Sequence, residues 1–92
     1  SKMISRERLK DHIPLRESVK EALDEISNML DGKYPPNLYR LVINEVERPL
    51  FEKVLEYTDG NQSKASEILG ITRSTLKKRL DYFDIDPRDH KS

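Results

Sequence analysis

An all-α domain of four helices is what this sequence predicts, and three observations carry that prediction. Apolar residues recur at three- and four-residue intervals along most of the chain, the interruptions fall at prolines, Asp-Gly pairs and a lone glycine, and no repeat or low-complexity tract intervenes. With 92 residues there is room for one domain, and 35% apolar against 37% charged content describes a helical protein with a thin core. A chain this short buries a modest fraction of its surface on folding, so a second copy is an expected source of further core.

The first helix is expected from Pro14, with Leu15, Val19, Ala22, Leu23, Ile26, Met29 and Leu30 forming one stripe. Pro14 suits a first turn, and Asp31-Gly32 ends the helix. After the rigid connector Pro35-Pro36, Asn37 is expected to cap a long second helix through Leu38, Leu41, Val42, Val46, Leu50, Val54 and Leu55. Pro49 lies inside it, lacking an N–H and crowding the Glu45 carbonyl, so a bend is expected there. Thr58-Asp59-Gly60 closes that helix.

Asn61 then caps a short third helix to Leu69, with Ala65, Ile68 and Leu69 inward and Gly70 left-handed at its end. Thr72 caps the fourth, Ile71 packs on Leu76 as a hydrophobic staple, and Leu76, Leu80 and Phe83 make the buried stripe. The residues before Pro14 read as a loose arm and those after Phe83 as a tail without period. The expected organisation is an arm or linker over 1–13, a folded domain over 14–85 and a frayed tail over 86–92. Ser1 and Lys2 precede Met3 either as an expression remnant or as the cut edge of a longer chain.

Seventeen basic and seventeen acidic residues cancel, so the chain as a whole advertises nothing to nucleic acid. The distribution does. Over residues 61–80, Lys64, Arg73, Lys77, Lys78 and Arg79 oppose only Glu67, which leaves the remainder acidic.

Two short helices joined by a tight glycine turn, the second basic, have the layout of a helix-turn-helix over about 61–83, whose second helix enters the major groove of DNA. Ser66, four residues before Gly70, offers the small side chain that lets the two helices approach. At about 100° per residue, a wheel with Leu76, Leu80 and Phe83 inward puts Ser74 and Lys78 opposite, flanked by Thr75 and Lys77, with Arg73 at the first turn. Arg73 is the candidate for a bidentate guanine contact, Lys77 or Thr75 for base or phosphate contacts, and Lys78 and Arg79 for phosphates. Asn61, Gln62 and Ser63 add donors at a helix N-terminus, where an anion is favoured.

The segments Leu38-Tyr39-Arg40-Leu41-Val42, Glu45-Val46-Glu47-Arg48-Pro49-Leu50, Tyr57-Thr58-Asp59-Gly60-Asn61-Gln62-Ser63-Lys64-Ala65 and Leu69-Gly70-Ile71-Thr72-Arg73-Ser74-Thr75-Leu76-Lys77-Lys78-Arg79-Leu80 resemble the Fis family. The upstream run from Pro14 to Leu23 resembles it too, and the same pattern closes enhancer-binding activators of the NtrC type, which work with the sigma factor RpoN. The resemblance implies a homodimer built by the first two helices, with Val19, Leu23, Ile26, Leu41, Val42, Val46, Leu50 and Val54 at the interface. It further implies double-stranded DNA with two-fold related half-sites, bent to meet two recognition helices, and contacts from Asn61, Ser63, Thr72, Arg73, Thr75, Lys77, Lys78 and Arg79. The stretch before Pro14 is too short and polar for the mobile hairpin arm of Fis, which argues against recombination-enhancer activity. Asp81 and Asp84 stand where Fis is basic, and Asp81 is placed to pair with Lys77. Together these departures favour a site-specific regulator, the DNA-binding end of an RpoN-dependent activator with RNA polymerase as partner through an upstream domain, over a free-standing nucleoid protein.

No cysteine is present, so disulfides, thiolate metal ligands and a cysteine nucleophile are excluded. No apolar run nears the roughly 20 residues of a membrane helix, and a bacterial cytoplasmic location is expected. His12 and His90 lack partners at ligand spacing, Asp59-Gly60-Asn61 lacks the alternating oxygens of a calcium loop, and neither a metal nor a cofactor is expected. Glu45, Glu47, Glu52 and Glu56 read as a solvated helix face, with no nucleophile or cofactor loop beside them to make an enzyme. The competing class is a helical interaction module that never touches DNA.

Overall fold

The computed structural model describes residues 14–91. Four α-helices and a short 3-10 helix account for the regular structure among them: α1 (Leu15–Met29), α2 (Leu38–Tyr57), α3 (Gln62–Leu69), α4 (Arg73–Tyr82) and a 3-10 turn at Pro87–His90. The arm expected over 1–13 lies outside the described residues, as does His12. The chain divides into two compact units, the first ending at Leu38 and the second starting at Tyr39.

In the first unit, Pro14 stands one residue ahead of α1 and its carbonyl accepts the Ser18 N–H at 3.2 Å, so the missing proline donor costs no helical bond. The stripe expected to be buried is not: α1 buries none of its residues, Val19, Leu23 and Ile26 are half buried, and Leu15, Ala22, Met29 and Leu30 are exposed. The helix stops where Asp31 and Gly32 both turn left-handed (φ 55° and 83°) and the Gly32 N–H reaches back to the Ser27 carbonyl at 2.8 Å. Asn37, expected to cap α2, also has left-handed backbone (φ 64°), not the extended backbone of an N-cap.

The second unit carries a core made by Phe51 and Leu55 of α2, Ala65 of α3, Leu76 and Leu80 of α4, and Phe83 and Ile85 after it, with Val54, Leu69 and Ile71 packed at its margin. The helix α2 continues through Pro49, with the proline and the Glu45 one turn behind it both exposed. Its end repeats the geometry of α1. Asp59 and Gly60 are left-handed (φ 57° and 80°), the Gly60 N–H bonds to Leu55 O at 2.8 Å and the Asp59 N–H to Glu56 O at 3.2 Å, a Schellman motif. The same pair of bonds closes α3 around Gly70 (φ 74°) and α4 around Asp84 (φ 55°), the latter dropping Ile85 onto the core.

Two further expectations are corrected. Ile68, expected inward, is 54% exposed, because α3 buries only the narrow face of Ala65 and Ser66. The tail expected to fray is folded back instead: Ile85 is buried, and Asp86 caps the 3-10 turn by accepting the Arg88 N–H at 2.9 Å while its carboxylate takes the Arg88 guanidinium at 2.8 to 3.2 Å. That turn lies against Gly60, where a Cβ would meet the Pro87 carbonyl oxygen at 2.6 Å.

These contacts rank two glycines. Gly70→Ala meets open space and carries only the left-handed penalty of roughly 1 to 2 kcal/mol. Gly60→Ala adds a backbone clash, for a total about twice as large, and urea midpoints of the two variants check the order; equal midpoints contradict the docked tail. The Arg88 side chain, and then its N–H, hold the Asp86 carboxyl down from 3.8 to about 2. With the folded value depressed, the stabilisation of the turn is present above the ordinary carboxylate range and is lost as pH falls through about 2. The Arg88 amide resonance should therefore titrate near that pH, and a midpoint near 4 contradicts the cap.

Candidate nucleic-acid interface

The arrangement of α3 and α4 follows from their ends. Asn61 has extended backbone (φ −79°, ψ 104°) and its Oδ1 accepts the Lys64 N–H at 3.1 Å, which starts α3. Ser66 is buried and donates its hydroxyl to Ser63 O at 2.8 Å, so a polar side chain sits in the helix contact without an unmet bond. Gly70 then reverses the chain, and Thr72 starts α4 by accepting the Thr75 N–H at 3.1 Å, its hydroxyl also within 3.0 Å of Thr75 Oγ1 and 3.2 Å of Ser74 Oγ. Ile71, just ahead of that cap, packs against the core that holds Leu76, as a staple requires.

With Leu76 and Leu80 inside, α4 has no freedom to roll. Arg73, Ser74, Thr75, Lys77 and Lys78 are all exposed, as are Asn61, Ser63 and Thr72. Among the described residues, no ion pair engages Arg73, Lys77 or Lys78. The expected Lys77–Asp81 pair is not formed, so Lys77 remains available to an external anion and Asp81 stays an uncompensated exposed negative charge. A face with three unpaired cations and three hydroxyls at the start of a helix suits a polyanion that offers both phosphates and acceptor edges.

Arg79 departs from its expected role. It is half buried, its Nη2 2.7 Å and its Nε 2.9 Å from Glu47 Oε1, and its Cζ lies 4.7 Å from the Tyr82 ring centre and 5.4 Å from that of Phe83. Nor is Glu47 part of a solvated face, since it is this arginine's partner. The pair is hidden in the sequence because it spans 32 positions. One local signal was available: Arg79 lies three residues after Leu76 and four before Phe83, at the edge of the buried stripe. Of the residues expected at a dimer interface, Val54 packs against the core of its own chain, Leu41 and Leu50 are exposed, and Val19, Leu23, Ile26, Val42 and Val46 are half buried.

No helix of the described residues is long and apolar enough to cross a membrane, and among the same residues no group of three His, Asp or Glu side chains is gathered to hold a metal ion.

Comparison with known proteins agrees with this architecture. Residues 42–83 match the model of a family described as bacterial regulatory protein, Fis family. The chain is 51% identical over 67 residues to the DNA-binding protein Fis of Actinobacillus succinogenes, an alignment covering 73% of this chain and 68% of that protein. Against the DNA-binding protein Fis of Proteus mirabilis it is 45% identical over 73 residues, covering 79% and 74%. A helix-turn-helix with Asn61 and Thr72 as caps and Gly70 between them, matched at this identity over this much of both chains, makes the chain a member of the Fis family.

Proposed function

We propose that this chain binds double-stranded DNA as a homodimer, reading two-fold related half-sites through α4 and bending the duplex between them, in the control of bacterial transcription. The observation that carries the reading is the exposed, unpaired group Arg73, Lys77 and Lys78 on a helix whose roll is fixed by Leu76 and Leu80. In this reading Arg73 contacts a guanine edge, Lys77 and Thr75 contact bases or the backbone, and Ser74, Lys78, Thr72, Asn61 and Ser63 position α4 on phosphates.

The dimer is supported by what a single chain leaves uncovered. The stripe of α1 carries Val19, Leu23 and Ile26 with nothing fully buried, and α2 leaves Leu41 and Leu50 exposed beside the half-buried Val42 and Val46. Covering such stripes with a second copy removes apolar surface from water at about 25 cal/mol per Å².

The relatives reported above are named DNA-binding protein Fis and align over 68% and 74% of their length, which favours a Fis-type protein of the bacterial nucleoid over the RpoN-dependent activator domain read from the sequence. The exposed Asp81 and Asp84 weaken attraction to arbitrary phosphate and favour defined sites within that reading.

Fluorescence anisotropy on a random duplex pool, followed by selection, tests it. Affinity should fall steeply with salt, the selected site should be two-fold symmetric, and Arg73→Ala should cost roughly 1 to 3 kcal/mol on that site. Lys77→Ala should lower the steepness of the salt dependence. Absence of binding at low salt, or binding indifferent to both residues, overturns the proposal in favour of a helical interaction module.

A further inference from the structure

The face of α2 turned to α4 consists of Asn44, Glu47, Arg48 and Phe51, spaced three and four residues apart as one helical stripe demands. Each meets the C-terminal part of α4 or Phe83 just past it. Asn44 Nδ2 donates to the Tyr82 hydroxyl at 2.9 Å, Glu47 takes Arg79, Arg48 places its Cζ 5.1 Å from the Phe83 ring centre, and the Phe51 and Phe83 rings lie 6.1 Å apart.

These contacts are unequal. Asn44 leaves its Oδ1 buried without a donor, which offsets what the Nδ2 bond contributes. The Phe51 and Phe83 contact is apolar and tolerates sliding. The Glu47–Arg79 pair is charge-assisted, with two guanidinium donors converging on the single oxygen Oε1 and the planar guanidinium held near the Tyr82 and Phe83 rings, and these restraints together make it the contact that sets an angle. Were Arg79 to turn to a phosphate, Glu47 would be left half buried without its partner.

We propose that Arg79 is a positioning residue, tethered to Glu47, that fixes the angle of α4 on α2 and thereby sets how strongly this protein discriminates its DNA site from other sequences. The inference rests on the DNA-binding reading above and replaces the phosphate contact that the sequence led us to expect of Arg79. A phosphate ligand acts on every sequence alike. A tether acts where α4 must meet base edges at a fixed angle, and so acts on the selected site alone.

The test measures the full chain with Glu47→Gln, Arg79→Met and the double variant, on the selected duplex and on a random duplex, across salt. The tether predicts that Glu47→Gln weakens the selected duplex by roughly tenfold while the random duplex holds or binds tighter, since a negative charge is gone. It also predicts that Arg79→Met leaves the salt slope unchanged and that the double variant is no worse than either single one. Tighter binding of the selected duplex by Glu47→Gln, or a salt slope reduced by about two per dimer in Arg79→Met, overturns it. The charge-swapped pair Glu47→Arg with Arg79→Glu should regain discrimination, which a loss of general stability would not allow. Urea midpoints of the three variants must also be non-additive, and additive midpoints overturn the tether without reference to DNA. Failure of the wild type to bind at low salt overturns the DNA-binding reading itself, and is thereby told apart from failure of the tether.

Discussion

Leu55, Leu76 and Leu80 are fully buried together, and the other features of the second unit depend on that contact. Leu76 and Leu80, one turn apart, leave α4 a single roll about its axis. From that roll it follows that Arg73, Ser74, Lys77 and Lys78 face outward and that Arg79 comes to the edge of the core, within reach of Glu47. A ten-residue helix has little else to hold it, and in isolation it would be marginal in water. Its order comes from burial on one face and from Thr72 and Asp84 at its ends.

The helix α2 meets α4 along one stripe and leaves apolar residues exposed at the stripe's edges. Asn44, Glu47, Arg48 and Phe51 hold α4, and the exposed Leu41 and Leu50 flank that stripe on its two sides, Leu41 beside Asn44 and Arg48 and Leu50 beside Glu47 and Phe51. In the proposed dimer, a second copy covering those edges would tie the angle of each α4 to the spacing between the two. Pro49 lies inside α2 at a solvent-exposed position.

What was legible in the sequence was whatever rests on near neighbours. The caps at Asn61 and Thr72, the reversal at Gly70 and the stripe Leu76, Leu80 and Phe83 each involve residues within one or two helical turns, and each stands as read, with Ile71 packed at the margin of the same core. The candidate contacts 73–75, 77 and 78 are exposed as the wheel placed them, because the wheel needs only the stripe, and 61, 63 and 72 are exposed as well. The pairing of Arg79 with Glu47 was not legible because the two lie on different helices, and Ile68 failed because a period gives the direction of a stripe and not its width. The tail was missed for a subtler reason. Asp84-Ile85 repeats the left-handed residue and following apolar residue seen at Gly70-Ile71, but with aspartate in place of glycine the motif is hidden to a reader who looks for glycine.

The central claim, that the exposed N-terminal half of α4 is the reading face and its C-terminal half an anchor, is tested most directly by titrating the isotope-labelled chain with its selected duplex and following amide resonances. Large shifts over residues 61–63 and 72–78, with the Arg79 side-chain Nε–H signal unmoved because Glu47 retains it, are the predicted result. Shifts centred on α1, or an Arg79 Nε–H that moves with the duplex, would contradict the account.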